Sequence, residues 1–263
     1  MNEKFNAAKG AFDLISKHKE SIKIGIGTGS TSDFFTKNFL PKLKDKIKCI
    51  YSSSLKTSGY LEELGFVVDD LNLNPVLDFY VDGADEVDTN HFLIKGGGGA
   101  HFMEKKVASK ANKFICIVDS SKHVHKLGAF PLPLEVEKNK LESVLISCKK
   151  FGNTTIRKDL SDNKNYLIDL HNLVIDDPLY YEKLFQKIDG VIEVGIFAEH
   201  KPHIVVTGFD YGYELKESWI ELRICSSFGS SLCEKLSTEP SFFIKYLWKF
   251  HLGLSFVALN NFS

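Results

Sequence analysis

Little in this sequence suits a protein that works through disulfides, a structural metal or bulk charge. Its five cysteines (Cys49, Cys116, Cys148, Cys225 and Cys233) are odd in number and scattered, with no C-x-x-C pair. That spacing argues against a disulfide framework and against a zinc site, and fits reduced thiols in a cytoplasmic protein. A charge surplus is also lacking: 33 Lys and Arg against 34 Asp and Glu leave a formal charge of -1. No global field recruits nucleic acid or an anionic membrane, so an anionic ligand has to be held by a local site. Met1 to Glu20 is rich in Lys and Glu and lacks an apolar signal core, so export is not expected. The strongly apolar stretch Ser241 to Leu259 is interrupted by Lys245, Lys249 and His251. Each lysine would cost roughly 2.5–3.5 kcal/mol at the centre of a membrane helix, so a spanning segment is not expected either. No internal repeat and no low-complexity linker divides the chain.

What remains is 263 residues with 43% hydrophobic content, enough for one large or two small cores. Phe5, Ala8, Phe12 and Ile15 share a helical face, and Ile22 to Ile26 reads as a strand. A Gly/Thr/Ser turn follows, then a helix carrying Phe35 and Phe39 that Pro41 stops. Strands are expected at Ile47–Tyr51, Phe66–Asp69, Leu77–Asp82 and Phe114–Val118, with helices at Leu55–Leu64 and around Ala100–Asn112. Strands alternating with helices predict an α/β domain, a Rossmann-like and mostly parallel sheet covered on both faces. After Gly128 the rhythm changes. Elements near 134–136, 138–150, 154–157, 166–170, 179–188 and 191–194 run β-α-β-β-α-β, the order of a smaller α+β domain of split βαβ, ferredoxin-like type. His203–Thr207 then reads as a buried strand returning to the first domain. The expected organisation is a discontinuous catalytic domain (1–128 and 198–208), a smaller domain (129–197) and a divergent extension (209–263). The extension holds 12 of the 32 aromatic residues, both tryptophans included. A packing or dimerisation appendage, or a poorly ordered tail, accounts for it better than catalysis does.

Two motifs carry chemistry. Gly25-Ile26-Gly27-Thr28-Gly29-Ser30-Thr31 joins a strand to a helix. Its glycines allow a sharp turn and close approach to an anion. Free N–H groups at the helix start and the hydroxyls of Thr28, Ser30 and Thr31 would donate to that anion, and the helix dipole favours it. A dinucleotide fingerprint fails because Ser30 stands where the third glycine belongs, and a P-loop fails for want of Gly-Lys-Ser/Thr. A tight turn with a helix cap explains the same residues without any ligand. The second motif joins Asp82-Gly83-Ala84-Asp85-Glu86, Lys95-Gly96-Gly97-Gly98-Gly99 and Glu104. Asp82 ends a hydrophobic strand, and ligands in open α/β sheets gather beyond such ends. The two aspartates can accept sugar hydroxyls, and Lys95 can balance their charge or polarise a carbonyl. Four successive glycines are costly in backbone entropy, which makes sense where a ligand or another backbone comes close. Glu104, just inside the next helix, is the best-placed general base, because a desolvated carboxylate is raised towards the working range. Lys122 is a further candidate from the same sheet edge. Taken singly, each of these charges reads more simply as a solvated surface group.

The strings GIGTGST, DGADEVD, IKGGGGA, EKK and FICIVDSSK, in this order and spacing, resemble ribose-5-phosphate isomerase of the A type. The resemblance continues through LGAFPLPLEV (127–136), DGVIEVGIF (189–197) and HIVVTG (203–208), and stops at about Gly208. It implies that Glu104 is the proton acceptor and that Asp82, Asp85, Lys95, Gly96, Gly97 and Gly98 form the centre of the substrate site. Thr28, Gly29, Ser30, Thr31 and Lys122 would bind substrate. The implied reaction interconverts ribose 5-phosphate and ribulose 5-phosphate through an enediolate, in the non-oxidative branch of the pentose phosphate pathway. The resemblance further implies a two-domain α/β fold, no required metal or cofactor, a sugar phosphate as partner, and a homodimer or homotetramer in the cytoplasm.

Two other readings of the same residues are a CoA or acyl transferase, whose mark would be a thioester on Glu104, and a sugar-phosphate sensor that binds without turnover. The Asp82/Asp85/Lys95 set suits a polyhydroxylated ligand better than an acyl carrier. No basic recognition module accompanies it, as a nucleic-acid-binding sensor would require. His123 and His125 are two apart without a partner cluster, so they read as loop residues rather than metal ligands. Cys116 lies in an apolar strand and reads as core. Arg157 reads as a surface ion pair rather than a phosphate contact.

Overall fold

Ile22–Ile26 and Phe114–Val118 are apolar at almost every position, a pattern that demands cover on both faces of a strand. In a computed structural model, residues 2–218 are described. The roles expected for 219–263, and the Ser241–Leu259 stretch, lie outside the described residues. No helix among the described residues is long and apolar enough to cross a membrane. Helix α1 (Glu3–Ser16) leads into β1 (Ile22–Ile26), α2 (Ser30–Asn38), β2 (Ile47–Ser52), α3 (Leu55–Glu63) and β3 (Leu77–Asp82). Short strands β4 (Glu86–Val87) and β5 (Leu93–Ile94) precede α4 (His101–Ala108) and β6 (Ala111–Asp119). Next come β7 (Leu132–Val136), α5 (Leu141–Cys148), β8 (Asn153–Ile156), β9 (Tyr166–His171), α6 (Pro178–Gln186) and β10 (Val191–Val194). Strands β11 (Ile196–Phe197), β12 (Ile204–Phe209) and β13 (Gly212–Glu217) end the described chain.

The main sheet has the order β13-β12-β6-β3-β1-β2 and is parallel except for β13. Alternate residues of β6 serve opposite faces. Ile115 and Ile117 pack with Ala7, Ala11 and Phe35 of α1 and α2, while Phe114, Cys116 and Val118 pack with Val107 of α4. From β1 the chain moves outward to β2 and then crosses to β3 on the other side. The crevice beyond the carboxyl ends of β1 and β3 is therefore a topological switch point, the usual ligand site of such sheets.

Strands β10-β7-β9-β8 form a separate antiparallel sheet whose chain order matches the split βαβ expectation. A third small sheet, β11-β5-β4, joins the return from β10 to the loop after β3.

Three sequence expectations differ from what is found. Phe66–Asp69 makes only a single bridge, Ile50 to Val68, because Val67 is 85% exposed and has no second strand to face. Helix α4 stops at Ala108 rather than near Asn112, since Ala111 already pairs with Leu77. The divergent segment was expected from Phe209, yet Phe209 closes β12 and Gly212–Glu217 returns along it as an antiparallel edge. Tyr213 of that edge donates its hydroxyl to Asp13 of α1 at 2.7 Å.

Helix α4 is pinned to the antiparallel sheet by a buried ammonium. Lys105 Nζ donates to Glu182 Oε1 (2.7 Å), Glu193 Oε1 (2.8 Å) and Val194 O (2.8 Å). Removing the charge at constant volume in Lys105→Met leaves two carboxylates facing each other. Urea unfolding is expected to lose about 3–5 kcal/mol in that variant; a loss below about 1 kcal/mol would show that the network is dispensable.

Candidate active site

Strand β1 delivers its glycine loop directly against the end of β3. Gly27 N donates to Val81 O at 2.9 Å, and a Cβ on Gly27 would stand 1.8 Å from Asp82 Cγ. Only glycine lets the Asp82 carboxylate lie against this turn. Gly29 then precedes α2 without a side-chain cap, leaving the first-turn N–H groups free of one. Thr28 Oγ1 meets a ring of hydroxyls, Ser53 (2.8 Å), Ser54 (2.7 Å) and Thr57 (3.1 Å). Ser30 Oγ accepts from Lys4 Nζ at 2.8 Å, and Thr31 is buried on the side of Gly83. Lys4, Ser53, Ser54 and Thr57 escaped the sequence reading. The Ser52-Ser53-Ser54 run after β2 repeats the strand–hydroxyl–helix pattern seen after β1 and could have been noticed; Lys4, in the first turn of a helix that packs on the sheet, carried no signal.

The two aspartates have different surroundings. Asp82 is fully buried and accepts from four protein donors: Ser32 Oγ (3.0 Å), Gly83 N (2.7 Å), Lys95 Nζ (2.7 Å) and Tyr80 OH. Each of its oxygens, expected from the sequence to accept sugar hydroxyls, already takes two donors. Asp85 is only half-buried and accepts one bond, from Gly97 N to Oδ2 at 2.7 Å. Its Oδ1 has no donor among the described residues. Burial pushes the Tyr80 phenol well above its ordinary range, and the Asp82 and Glu104 charges add to that.

Lys95 leaves β5 into the same core, its backbone N–H tied to Gly195 O at 2.8 Å. Its ammonium donates to Asp82 and to Gly83 O (2.6 Å), lies 3.2 Å from Glu104 Oε2, and sits 5.5 Å over the Phe197 ring. Burial alone would lower the Lys95 pKa, but the Asp82 and Glu104 charges outweigh it and hold the group above the usual lysine range.

Glu104 lies in the first turn of α4 and is 2% exposed. The Lys95 contact is within ion-pair distance, yet Oε2 has no hydrogen-bond partner among the described residues. Burial pushes the Glu104 carboxyl up to about 8, opposed by Lys95 and reinforced by Asp82 and Asp85. A buried acid of that strength, with one oxygen lacking a hydrogen bond, is suited to take and return a proton near neutrality. His101, one turn earlier, is pushed down to about 3, first by burial and then by Lys105 and Arg157, and makes a poor base.

Gly96 has φ +105°, a conformation open to glycine, and Gly99 N donates to Gly96 O at 2.9 Å to close the loop. A Cβ on Gly98 would stand 3.8 Å from Thr28 Cγ2, so the two glycine loops face each other. Lys122 lies in the turn after β6, half-buried and bonded to none of these residues. Among the described residues no group of three His, Cys, Asp or Glu converges as a metal site. His123 Nε2 instead pairs with Thr207 Oγ1 at 2.8 Å.

Residues 49–211 match the family model described as ribose 5-phosphate isomerase A (phosphoriboisomerase A). The ribose-5-phosphate isomerase A of Wigglesworthia glossinidia brevipalpis is 42% identical over 209 residues, 78% of this chain and 94% of that one. Among solved structures, ribose 5 phosphate isomerase A from Neisseria gonorrhoeae superposes with a TM-score of 0.77 at 39% identity, covering 82% of this chain and 96% of its own. A D-ribose-5-phosphate isomerase in complex with phospho-erythronic acid gives 0.75 at 35% identity, over 82% and 100%.

The Glu104 environment has a consequence for stability. The folded chain keeps the proton up to about 8, whereas the unfolded chain releases it near 4.5. Its contribution is fully present below the unfolded value and is lost as pH rises through about 8. Glu104→Gln carries no such titration, so its melting temperature relative to wild type is expected to climb between pH 5 and pH 9. Parallel melting curves across that range would mean that the carboxyl titrates normally.

Proposed function

This chain belongs to the ribose 5-phosphate isomerase A family, and on that premise we propose that Glu104 is the group that shuttles the proton between ribose 5-phosphate and ribulose 5-phosphate. The observation that carries this reading is the buried Glu104 oxygen without a hydrogen-bond partner, 3.2 Å from Lys95 Nζ. Glu104 removes the proton from C2 of the open-chain aldose. The electron pair moves into a C1–C2 enediol system, leaving negative charge on the former carbonyl oxygen. The O2 hydroxyl proton passes to O1, which shifts the negative charge to O2; the same carboxyl then returns the carbon proton to C1, and C2–O2 becomes the ketose carbonyl. Lys95 keeps its charge beside the base and restrains the upward pull of burial on Glu104.

Asp82, whose oxygens are taken, acts by holding Lys95 in place, while Asp85 with its free oxygen orients a substrate hydroxyl. The free N–H groups at the start of α2, the hydroxyls of Thr28, Ser30 and Thr31, and the Lys4 ammonium suit a phosphate. Gly96, Gly97 and Gly98 border the reacting end, and Lys122 contacts substrate from the end of β6. Phospho-erythronic acid, held by the solved relative, is a phosphorylated hydroxy acid with charge at both ends, as an enediolate phosphate has. Binding energy at the phosphate positions the reacting carbons. A catalytic lobe of 1–128 plus the strands after 197, a smaller lobe of 129–197, a cytoplasmic location and assembly as a homodimer or homotetramer complete the proposal.

Glu104→Gln keeps the shape and removes the base. Its kcat in a chelated buffer is expected to fall by roughly a thousandfold with KM little changed, and near-normal turnover would remove Glu104 from the role. In the wild type, kcat/KM is expected to rise with pH through a limb near 8. Lys95→Met removes the charge that lowers the Glu104 pKa, so any limb that survives in this variant moves to higher pH. A limb at the ordinary carboxyl value in the wild type would contradict the assignment.

A further inference from the structure

One basic side chain reaches the glycine loop from the antiparallel sheet. Arg157 follows β8, and its backbone N–H donates to Leu167 O at 2.8 Å, which keeps the residue in register with β9. Its Nε and Nη2 donate to the two oxygens of Asp169 on β9, at 2.8 and 2.6 Å. A two-point fork of this kind fixes the plane of the guanidinium. The remaining nitrogen, Nη1, is thereby aimed at the carbonyl oxygens of Gly96 (2.8 Å) and Gly97 (3.2 Å).

The Gly96 carbonyl and the Gly97 N–H belong to one planar trans peptide, in which they point in opposite directions. The oxygen end takes Arg157, and the hydrogen end takes Asp85 Oδ2 at 2.7 Å. This peptide is held between a cation and an anion, with its dipole aligned to both. The Gly97 carbonyl lies on the same guanidinium, so the Gly98 N–H of that next peptide is turned away from Arg157. Gly98 N has no acceptor among the described residues, and Gly98 faces Thr28 across the crevice. Four successive glycines have more backbone freedom than any other run of residues. No side chain within the run can hold it, so its geometry has to be imposed from outside.

We propose that Arg157, oriented by Asp169, is a positioning residue of the isomerisation. It holds two successive peptides of the glycine loop so that the Gly98 N–H meets the oxygen that gains negative charge in the enediolate. Donors preset in this way act on the transition state more than on the ground state. The inference rests on the reading of Glu104 as base and of the glycine loop as a border of the reacting carbons. Arg157 itself touches no substrate.

The test is steady-state isomerisation by the full chain carrying Arg157→Ala, Arg157→Lys or Asp169→Asn, with inorganic phosphate as a competitive probe of the α2 cradle. In Arg157→Ala, kcat is expected to fall by roughly ten- to a hundredfold, while KM and phosphate inhibition stay within about twofold. Added guanidinium ion, below denaturing concentration, is expected to recover part of that kcat. Arg157→Lys keeps the charge but lacks the fork, and Asp169→Asn keeps the volume but loosens it; both are expected to lower kcat in the same sense. If Arg157→Ala does not fold, these two variants decide. Unchanged kcat, or an equal rise in KM and in the phosphate inhibition constant, would overturn the proposal. Retained turnover in Glu104→Gln would instead sink the base assignment, and the Arg157 comparison against wild type would still be readable.

Discussion

A single buried ammonium, shared by two carboxylates, sets the chemistry of this crevice. Taking Lys95, Asp82 and Glu104 out of water costs several kcal/mol per ion, and attraction repays that cost only where further hydrogen bonds complete the shell. The shell is completed on one side alone. Asp82 receives Tyr80, Ser32 and Gly83 as well as Lys95. Glu104 receives a single ion-pair contact and leaves Oε2 without a hydrogen bond. Two acids at similar burial thus differ in their partners, and desolvation raises the Glu104 carboxyl.

The scaffold explains why these groups meet. Parallel strands β1, β3 and β6 send their carboxyl ends to one edge, and the switch in direction between β1 and β3 opens the crevice there. Asp82 ends β3, Gly27 abuts it from β1, and Lys95 enters from the small sheet that links the return from β10 to the loop after β3. The antiparallel sheet supports this arrangement as well. It grips α4 through Lys105, next to Glu104, and the glycine loop through Arg157.

Much of this was legible beforehand because the signals are local. Apolar runs bounded by Gly, Ser and Asp announce strand ends, and the β-α-β-β-α-β order of the second lobe follows from spacing. Asp82–Asp85, Lys95–Gly99 and Glu104 stand close enough in sequence to be read together, and Gly25–Thr31 reads as a separate anion cradle. The hydroxyl ring of Ser53, Ser54 and Thr57 was half visible, since it repeats the motif after β1. Lys4 was not visible, and Arg157 was legible only as an ion pair, because each acts across a long sequence separation and looks like any surface cation. Strand β13 was hidden by its position in a segment of unfamiliar composition, although its pairing with β12 is regular.

The chain's own residues determine where strands and helices form, which loops can approach an anion, and which acid follows the glycine run, since all of these depend on neighbours a few positions away. Only the folded arrangement decides that Asp82 is saturated while Glu104 is not, that Asp85 keeps a free oxygen, and that Arg157 faces the glycine carbonyls. Those outcomes depend on how many donors converge on an oxygen from distant elements, and on how little water remains beside it. No local pattern encodes either quantity.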